Sequence, residues 1–452
     1  MLKNQDIITV QITGYTSDGE GVARFDGEVV FLPHAILGET VRARIVNVGK
    51  TVAHAEILEI LEPSSHRIKS DCPYFSQCGG CDFRHMDYEE ELSLKRQRVI
   101  DALTRIGGIE AGELPITGSE ITEGYRNKVQ FPVGQKKGRP CAGFFRARTH
   151  EIISIDSCRI QPDCADAARR AVLSWMQENN ISAYNERSHT GIVRHIHLRC
   201  GFQTGQVLVC VVANCKDLPK KQALCDALKQ SVSGLCTVVV SYHEKKSNSV
   251  LGDRFETLLG EGSIEDVLCG LRFRLSARSF YQINRDQAER LYEKALALAD
   301  LTGEETALDL YCGAGTITLC MANRVKKVYG VEIIDAAIED AKENAKRNGI
   351  TNAEFFCADA GQAAQRFAQS GEKLDVIVVD PPRKGLSGDV VDAILQMQPK
   401  RLVYVSCDPA TLARDVRLIC DGGYRLEKAE AFDLFPRCAH VESVCLLVKT
   451  DA

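Results

Sequence analysis

The sequence predicts a multidomain chain in which a small all-β barrel and an α+β region precede a Rossmann-like α/β domain. Short segments of alternating polarity, separated by Gly-containing turns, run through residues 1–62. Residues 63–265 begin with a cysteine-rich loop and continue with mostly strand patterns, whereas strands and helices alternate within residues 266–452. Such alternation indicates βαβ units and a largely parallel sheet. The 452 residues are enough for each part to have its own core.

The composition is typical of a globular protein, with 44% hydrophobic and 26% charged residues. The amino terminus, "MLKNQDIITV", has no apolar stretch, and no hydrophobic run approaches the length of a membrane span. We therefore expect a cytoplasmic protein without a membrane partner. Nineteen cysteines without a secretory signal indicate free thiols and metal or cluster ligands rather than disulfides.

Two local patterns refine the first half of the chain. The segments "ITVQITGYT", "GVARFDGEVVFLP", "VRARIVNVG" and "AHAEILEILEP" predict the strands of the barrel. The segment "EELSLKRQRVIDALTRIGGI" has apolar residues at helical spacing before a Gly-Gly stop, which predicts a helix over residues 91–108.

Positive charge is concentrated locally, although the net charge is −5 and the pI is near 6.1. Residues 124–149 contain seven Lys or Arg residues and no Asp or Glu, and a second basic run spans residues 187–199 with Arg194, His195 and His197. Aromatic residues interleave with the first run. This combination favours a surface for single-stranded RNA, where bases stack and phosphates meet cations. A solvated charged face is the alternative. The interleaved aromatic residues are Tyr125, Phe131, Phe144 and Phe145.

A glycine turn and three acidic strand ends follow one another in the α/β region. Gly313 and Gly315 come directly after the apolar strand "TALDL", where a backbone can approach a ligand closely. Glu332 ends the next strand, in position to bind ribose hydroxyls, and Asp359 and Asp380 end the following two. This ordered set is the pattern of methyltransferases that use S-adenosylmethionine. It fits a dinucleotide enzyme less well, because the third glycine of GxGxxG is missing.

Cys407 lies between the apolar strand "RLVYV" and a helical pattern, after which "RCAHVESV" supplies Glu442 with His440. Carbon 5 of a pyrimidine is a poor nucleophile, so its methylation needs a thiolate at carbon 6 and a base for the carbon 5 proton. The sequence predicts Cys407 as that thiol and Glu442 as that base. A structural thiol and a solvated surface acid are the alternatives.

The last third of the chain resembles the RNA uracil-C5 methyltransferase family, and residues 1–62 resemble the TRAM RNA-binding barrel. The TRAM-like stretch is "GEGVARFDGEVVFLPHAILGETVRARI". The family motifs are "FYQIN" (280–284), "LDLYCGAGT" (308–316), "GVEI" (330–333), "VDPPRKG" (379–385), "VSCDPATLARD" (405–415) and "HVESV" (440–444).

The resemblance implies a role for each matching residue. Cys407 would be the nucleophile and Glu442 the base, whereas Phe280 and Arg126 would hold the extruded uracil and its neighbours together with Gln282 and Asp380. It also implies that the helix at 91–108 packs on the catalytic domain. The residues implied for the S-adenosylmethionine pocket are Gln282, Tyr311, Gly313, Gly315, Thr316, Glu332, Asp359 and Asp380.

Cys72, Cys78 and Cys81 form a C-x5-C-x2-C cluster that needs a fourth ligand. Spacing alone leaves structural zinc and an iron–sulfur cluster open. The resemblance implies a [4Fe–4S] cluster with Cys158 as fourth ligand, with Cys164 as a competitor. Because the cysteines are remote in sequence from the chemistry, we expect the cluster to help fold the central domain and shape the RNA surface.

Together these features predict methylation of carbon 5 of a uridine in 23S ribosomal RNA by a monomeric enzyme. The same chemistry on a tRNA T-loop is the nearest alternative, and the barrel plus cluster favour the ribosomal target. Two further alternatives are an RNA-binding assembly protein with a vestigial enzyme fold, and an amino-methyltransferase suggested by the "DPPR" motif. A binding protein would need neither a nucleophile nor a base, and an amino-methyltransferase would need no thiol.

Overall fold

The computed structural model describes residues 2–110 and 112–450, so the predicted domain ends at residues 1 and 452 lie outside the described residues. The predicted fold class is confirmed: a barrel, a mixed central sheet and a mainly parallel catalytic sheet follow one another along the chain. Among the helices that the structure describes, none combines the length and apolar character needed to cross a bilayer.

The amino-terminal barrel consists of five strands that close in the order β1-β2-β3-β5-β4. Alternate residues point into its apolar core, as the alternating polarity of the sequence predicts. Closure leaves no free sheet edge. The strands are β1 (Ile7–Tyr15), β2 (Gly21–Phe25), β3 (Glu28–Leu32), β4 (Thr40–Val48) and β5 (Val52–Glu62).

A helix and a short strand connect the barrel to the catalytic domain rather than to the central sheet. Helix α1 (Tyr88–Arg105) begins and ends three residues earlier than predicted, because Asp87 caps it by accepting a hydrogen bond from the Glu90 amide. The buried ammonium of Lys95 bonds Glu91 and Asp433, each at 2.7 Å, and so ties α1 to the catalytic domain. Strand β6 (Ile116–Thr117) extends the edge of the catalytic sheet.

The central domain is a seven-stranded sheet of order β13-β12-β11-β10-β7-β8-β9, covered by two helices. Its helices α2 (Asp163–Glu178) and α3 (Lys221–Ser231) make the region α+β, with strands predominating, as the sequence predicts. Trp175 lies fully buried in the core of this domain. The strands are β7 (Lys128–Lys136), β8 (Arg139–Phe145), β9 (Ile152–Ser154), β10 (Val193–Cys200), β11 (Val207–Ala213), β12 (Leu235–Tyr242) and β13 (Arg254–Leu259).

A hairpin of β14 (Ser263–Leu268) and β15 (Leu271–Ser276) joins the central and catalytic domains. The predicted boundary between residues 265 and 266 falls inside β14. Hairpin residues share one core with the catalytic helices, because Ile264 and Phe273 pack in the same cluster as Leu291.

The catalytic domain is an eight-stranded sheet of order β18-β17-β16-β19-β20-β22-β21-β6. The first five strands pair in parallel, whereas β22 is antiparallel to both of its neighbours. Its elements are α4 (Arg285–Ala299), β16 (Thr306–Asp309), α5 (Thr316–Ala322), β17 (Lys327–Glu332), α6 (Asp335–Arg347), β18 (Ala353–Cys357), α7 (Ala360–Ser370), β19 (Val376–Val379), α8 (Gly388–Met397), β20 (Arg401–Ser406), α9 (Pro409–Asp421), β21 (Tyr424–Phe432) and β22 (Glu442–Lys449).

Candidate active site

One edge of the catalytic sheet collects the chemically active side chains. Asp309 and Glu332 end β16 and β17, and Asp380 and Cys407 directly follow β19 and β20. Because β22 is antiparallel to β20, its first residue, Glu442, lies at the same edge. The pairing of Ser406 with Ser443 sets Cys407 opposite Glu442. The fold thus brings together a thiol and several carboxyl groups that are up to 133 residues apart, counting from 309 to 442.

The pKa values of Cys407 and Glu442 depend on burial and on the charges of neighbouring side chains. Burial, together with the charges of Glu442 and Asp380, raises the pKa of the Cys407 thiol to about 11, and Arg383 opposes this shift. Burial and the Asp380 charge raise the pKa of Glu442 to about 8. Glu442 is only 4% exposed, so it is not a solvated surface acid. A carboxyl group with this pKa can accept and release a proton near neutral pH.

Two aspartates at the same edge, Asp380 and Asp309, also have raised pKa values. Burial raises the pKa of Asp380 to about 7, with a further contribution from Asp309. Burial likewise raises the pKa of Asp309 to about 6, although the Thr318 hydroxyl donates a 2.7 Å hydrogen bond to its carboxylate. Asp309 was not singled out from the sequence. The sequence signal that could have identified Asp309 was its position at the end of the first strand of this domain, beside the glycine turn.

Arg383 and His440 complete the thiol side of the site. The guanidinium of Arg383 lies 3.1 Å from Nε2 of His440. Desolvation of the His440 ring and the charge of Arg383 lower the pKa of His440 to about 4, so the ring is neutral at pH 7. Arg383 belongs to the "DPPR" motif, but sequence reasoning gave it no role. Its charge partly opposes the upward pKa shifts of both Cys407 and Glu442.

The glycine turn and Glu332, which were predicted to bind the methyl donor, lie side by side at this edge. Gly313 and Gly315 have φ values of 54° and 83°, which side chains rarely adopt. A Cβ atom at Gly313 would meet nothing within 4 Å, so the turn faces open space. The Glu332 carboxylate accepts hydrogen bonds from the amides of Gly313 (3.3 Å) and Ile334 (3.0 Å). The neighbouring Ile333 is 63% exposed and can cover the face of a bound base.

Gln282 and Thr316 meet at the buried hydroxyl of Tyr292. The Tyr292 hydroxyl lies 3.4 Å from Oγ1 of Thr316. Burial, followed by the Asp380 charge, raises the pKa of Tyr292, while hydrogen bonds with Thr316 and Gln282 lower it. Tyr292 therefore connects three predicted site residues. It was missed in the sequence because its spacing on α4 resembles that of an ordinary core residue.

Tyr311 and Asp359 lie farther along the same edge. Burial and the Asp359 charge raise the pKa of Tyr311 to about 12. The third strand ends at Cys357 and not at Asp359. Asp359 instead caps α7 by accepting hydrogen bonds from the amides of Gly361 and Gln362. Capping uses one carboxylate oxygen, Oδ1, and leaves the other for a ligand.

Phe280 and Arg126 approach the edge from the central domain side. Phe280 is 63% exposed, an aromatic face open to a ligand. Arg126 pairs with Asn284 in an isolated β-bridge, and its charge acts on His440. Phe280 is thus the first residue of the motif that contains Gln282, and Arg126 pairs with the last residue of that motif.

The basic runs differ from the predicted RNA surface. Tyr125 and Phe131 are 2% and 0% exposed and cannot stack on bases. In the second run, Arg194 is buried on the ring of Tyr184 at 4.4 Å, and His197 is also buried. These residues are buried because β7 and β10 are inner strands of the sheet. Lys136, Lys137, Arg139 and Arg148 of the first run are exposed and Phe144 and Phe145 are half-buried, so an RNA surface at this part of the run stays a prediction.

The four predicted metal ligands line one cavity of about 340 Å³ between the cysteine-rich loop and the central sheet. Burial raises the pKa of Cys158 to about 11, with contributions from Cys78 and Cys72. In residues 2–110 and 112–450, however, no three His, Cys, Asp or Glu side chains are placed to hold a single metal ion. The residues that line this cavity include Cys72, Cys78, Cys81 and Cys158.

The competing ligand Cys164 lies against another thiol instead. Its Sγ is 2.8 Å from Sγ of Cys200. Cys158, and not Cys164, therefore shares the cavity with Cys72, Cys78 and Cys81.

Comparison with known families and relatives agrees with this architecture. The TRAM domain family matches residues 3–58, and the family described as tRNA (Uracil-5-)-methyltransferase matches residues 256–450. A protein of Halalkalibacterium halodurans described as an RNA methyltransferase is 42% identical over 447 residues, which cover 99% of this chain and 98% of the relative. An RNA methyltransferase of Clostridium tetani is 41% identical, with coverages of 99% and 97%.

A solved structure covers nearly the whole chain. The tRNA (uracil-54, C5)-methyltransferase of Pyrococcus abyssi, crystallised with S-adenosyl-L-homocysteine, is 28% identical with a TM-score of 0.80. The match covers 98% of this chain and 100% of the other. The similarity therefore extends to the barrel and the central sheet as well as the catalytic domain.

Proposed function

Because the chain belongs to the tRNA (uracil-5-)-methyltransferase family of RNA methyltransferases, we propose that it methylates carbon 5 of a uridine through a covalent Cys407 intermediate. The observation that carries the proposal is the pairing of β20 with β22, which sets Cys407 opposite Glu442 at the methyl-donor edge. An RNA-binding protein without activity would need neither side chain there.

The Cys407 thiolate forms a bond from its sulfur to carbon 6 of the uracil, and the electron pair of the 5,6 double bond moves towards carbon 5 and the carbonyl oxygen. Bound S-adenosylmethionine supplies an electrophilic methyl group. Carbon 5 takes that methyl group, and S-adenosylhomocysteine leaves. Glu442 then removes the proton from carbon 5, the double bond re-forms and Cys407 departs as thiolate.

The remaining side chains hold the reactants. Glu332 would bind the ribose hydroxyls, and the turn at Gly313 would let the backbone approach the donor. Gln282 and Asp380 would hydrogen-bond the uracil, and the influence of the Asp380 charge on Cys407 and Glu442 supports this role. Since the target carbon is inaccessible in a stacked strand, the uridine must be extruded, and the exposed ring of Phe280 supports stacking of a neighbouring base. The remaining predicted donor-pocket residues are Tyr311, Gly315, Thr316 and Asp359.

The proposal also names the class of RNA that contains the target uridine. Our prediction of 23S ribosomal RNA relied on the barrel and the cluster. The Pyrococcus abyssi enzyme is a tRNA methyltransferase by its description and matches the barrel region too, so the barrel does not distinguish the two RNAs. We keep 23S rRNA as the first candidate. A uridine in the tRNA T-loop is the second candidate, and the similarity to the Pyrococcus abyssi enzyme favours this second candidate.

We also propose that Cys72, Cys78, Cys81 and Cys158 hold a [4Fe–4S] cluster, which would supply a structural cross-link for the cysteine-rich loop. Their shared cavity supports this assignment. Nineteen cysteines, all free where described, support a reducing compartment, and we propose a cytoplasmic monomer.

The test is methyl transfer from labelled S-adenosylmethionine to unmodified 23S rRNA fragments and unmodified tRNA, followed by digestion to nucleosides. The proposal requires 5-methyluridine from one of the two RNAs with wild type and none with Cys407→Ala. Methylation that persists in Cys407→Ala, or a product methylated on an exocyclic amine, would contradict the thiol mechanism and support an amino-methyltransferase.

A further inference from the structure

The cysteine-rich loop contacts the segment that directly precedes the candidate base, Glu442. We call residues 72–84 the cysteine loop and residues 433–441, which connect β21 to β22, the base loop. The amides of Asp82 and Phe83 both donate to the carbonyl oxygen of Arg437, at 2.7 and 3.1 Å. The Asp82 carboxylate accepts a 2.7 Å hydrogen bond from the amide of Ala439, and the Cys438 thiol lies 3.4 Å from the Gly80 carbonyl.

The base loop needs outside contacts to keep its shape. Its nine residues contain no helix or strand, and Arg437 has a φ of 71°, a left-handed conformation that is unfavourable for a residue other than glycine. Such a conformation persists only where surrounding contacts fix it. Glu442 is the first residue after this loop, so the path of the loop sets the direction from which its carboxyl group reaches the site.

Both backbone polar atoms of one residue near Glu442, Ala439, are fixed by side chains from other parts of the chain. Asp82 accepts from the Ala439 amide, and the guanidinium of Arg98 on α1 donates to the Ala439 carbonyl at 2.7 Å. Ala439 precedes Glu442 by three residues. Nearer to Glu442, Arg383 contacts the ring of His440 at 3.1 Å. Farther from it, Glu91 accepts from the Arg437 amide and Tyr125 donates to the Pro436 carbonyl.

We propose that Asp82 is a positioning residue for Glu442: with Arg98 it fixes the backbone of Ala439 on both sides, and so places the carboxylate that removes the carbon 5 proton. This inference rests on the proposed function, since only a reaction with a separate proton-removal step gives the base loop such a role. The cysteine loop is therefore connected to the chemistry, contrary to what its distance in sequence suggests.

The proposal predicts a defect in one step only. The side chain of Asp82 keeps a solvent-exposed edge, so its replacement leaves no buried cavity and should change stability little. Asp82→Ala should form the methylated Cys407 adduct at the wild-type rate and release product about tenfold more slowly, because a small displacement of a catalytic group costs rate steeply. Asp82→Asn retains an oxygen acceptor for the Ala439 amide and should restore release.

The experiment follows the RNA-linked protein on denaturing gels during a single turnover with ordinary uridine RNA. The matched control is Asp71→Ala. Asp71 is an exposed aspartate next to the cysteine loop; it pairs with Arg84 and does not contact the base loop. Iron content is measured for each variant, so that a change in release can be compared at equal metal loading.

Accumulation of adduct in Asp82→Ala, but not in Asp82→Asn or Asp71→Ala, supports the proposal. Wild-type release in Asp82→Ala, equal defects in both Asp82 variants, or equal slowing of formation and release would overturn it. Glu442→Gln serves as the positive control for adduct accumulation. If that variant gives no adduct, the proposed function fails, and the role of Asp82 fails with it.

Discussion

Replacing Glu442 with Gln is expected to stop the reaction after methyl transfer and before product release. The amide has nearly the shape of the carboxyl group but cannot accept the carbon 5 proton. The Cys407–uridine bond should therefore persist, and methylated RNA should remain attached to the protein. General-base catalysis contributes about 10²- to 10⁴-fold, which sets the expected loss in release rate.

The pKa of Glu442 gives this prediction a pH dependence. With a pKa of about 8, the side chain is about 1% ionised at pH 6 and about half ionised at pH 8. The ionised form is the base, so the wild-type release rate should rise with pH, about tenfold per unit between pH 5 and 7, and level off above about pH 8. In Glu442→Gln this slope should be absent.

The assay separates release from formation of the adduct, because ionisation of Cys407 also favours high pH. Adduct is accumulated at pH 6, the sample is moved to a series of higher pH values, and the decay of RNA-linked protein is followed on denaturing gels. The control is Glu430→Gln, the same chemical change at a residue on β21 that pairs with Lys294.

Two results would refute the reasoning. The first is an unchanged pH slope of release in Glu442→Gln, which would show that another group removes the proton. The second is rapid release in that variant at every pH, which would show that Glu442 is not needed for elimination. Loss of release in Glu430→Gln would show that the assay responds to general damage to the sheet.

Three further changes test other parts of the structure. Lys95→Met leaves Glu91 and Asp433 buried without their cation and should cost about 3–5 kcal/mol in urea unfolding. Lys342→Met, at a pair with Glu339 in which both side chains are exposed, should cost less than about 1 kcal/mol, and equal costs would contradict this. Glu332→Ala should weaken S-adenosylmethionine binding in calorimetry about 10- to 100-fold through lost hydrogen bonds to the ribose, and unchanged affinity would exclude that role. Cys78→Ser should lower the iron content of the purified protein, and full iron content would contradict the ligand assignment.

The sequence predicted the reactive edge of the sheet because its signals are local. Each active residue follows an apolar run, and in a parallel sheet all such positions meet at one edge. Glu332, Asp380 and Cys407 could be placed in this way without any knowledge of long-range contacts. Whether Glu442 joins them depends on the antiparallel insertion of β22 beside β20, for which the family resemblance was the guide.

Other residues could not be recognised from the sequence as parts of the site, because their roles arise only from packing between distant segments. Tyr292 lies on the buried face of α4, where a tyrosine is indistinguishable from a core residue until its hydroxyl is seen between Thr316 and Gln282. The basic residue Arg194 was misjudged for the reverse reason, since its charge is satisfied by backbone carbonyls inside the fold. The contact of Asp82 with Ala439 joins segments 357 residues apart, and no local pattern announces it.

The most direct test of the central claim combines the protein with S-adenosylmethionine and RNA that contains 5-fluorouridine. Fluorine at carbon 5 cannot be removed as a proton, so the reaction should stop at a methylated adduct bound to Cys407. We expect an RNA–protein band on a denaturing gel with wild type and none with Cys407→Ala. An equal band in both proteins, or no band with a wild-type protein that methylates ordinary RNA, would contradict the thiol mechanism.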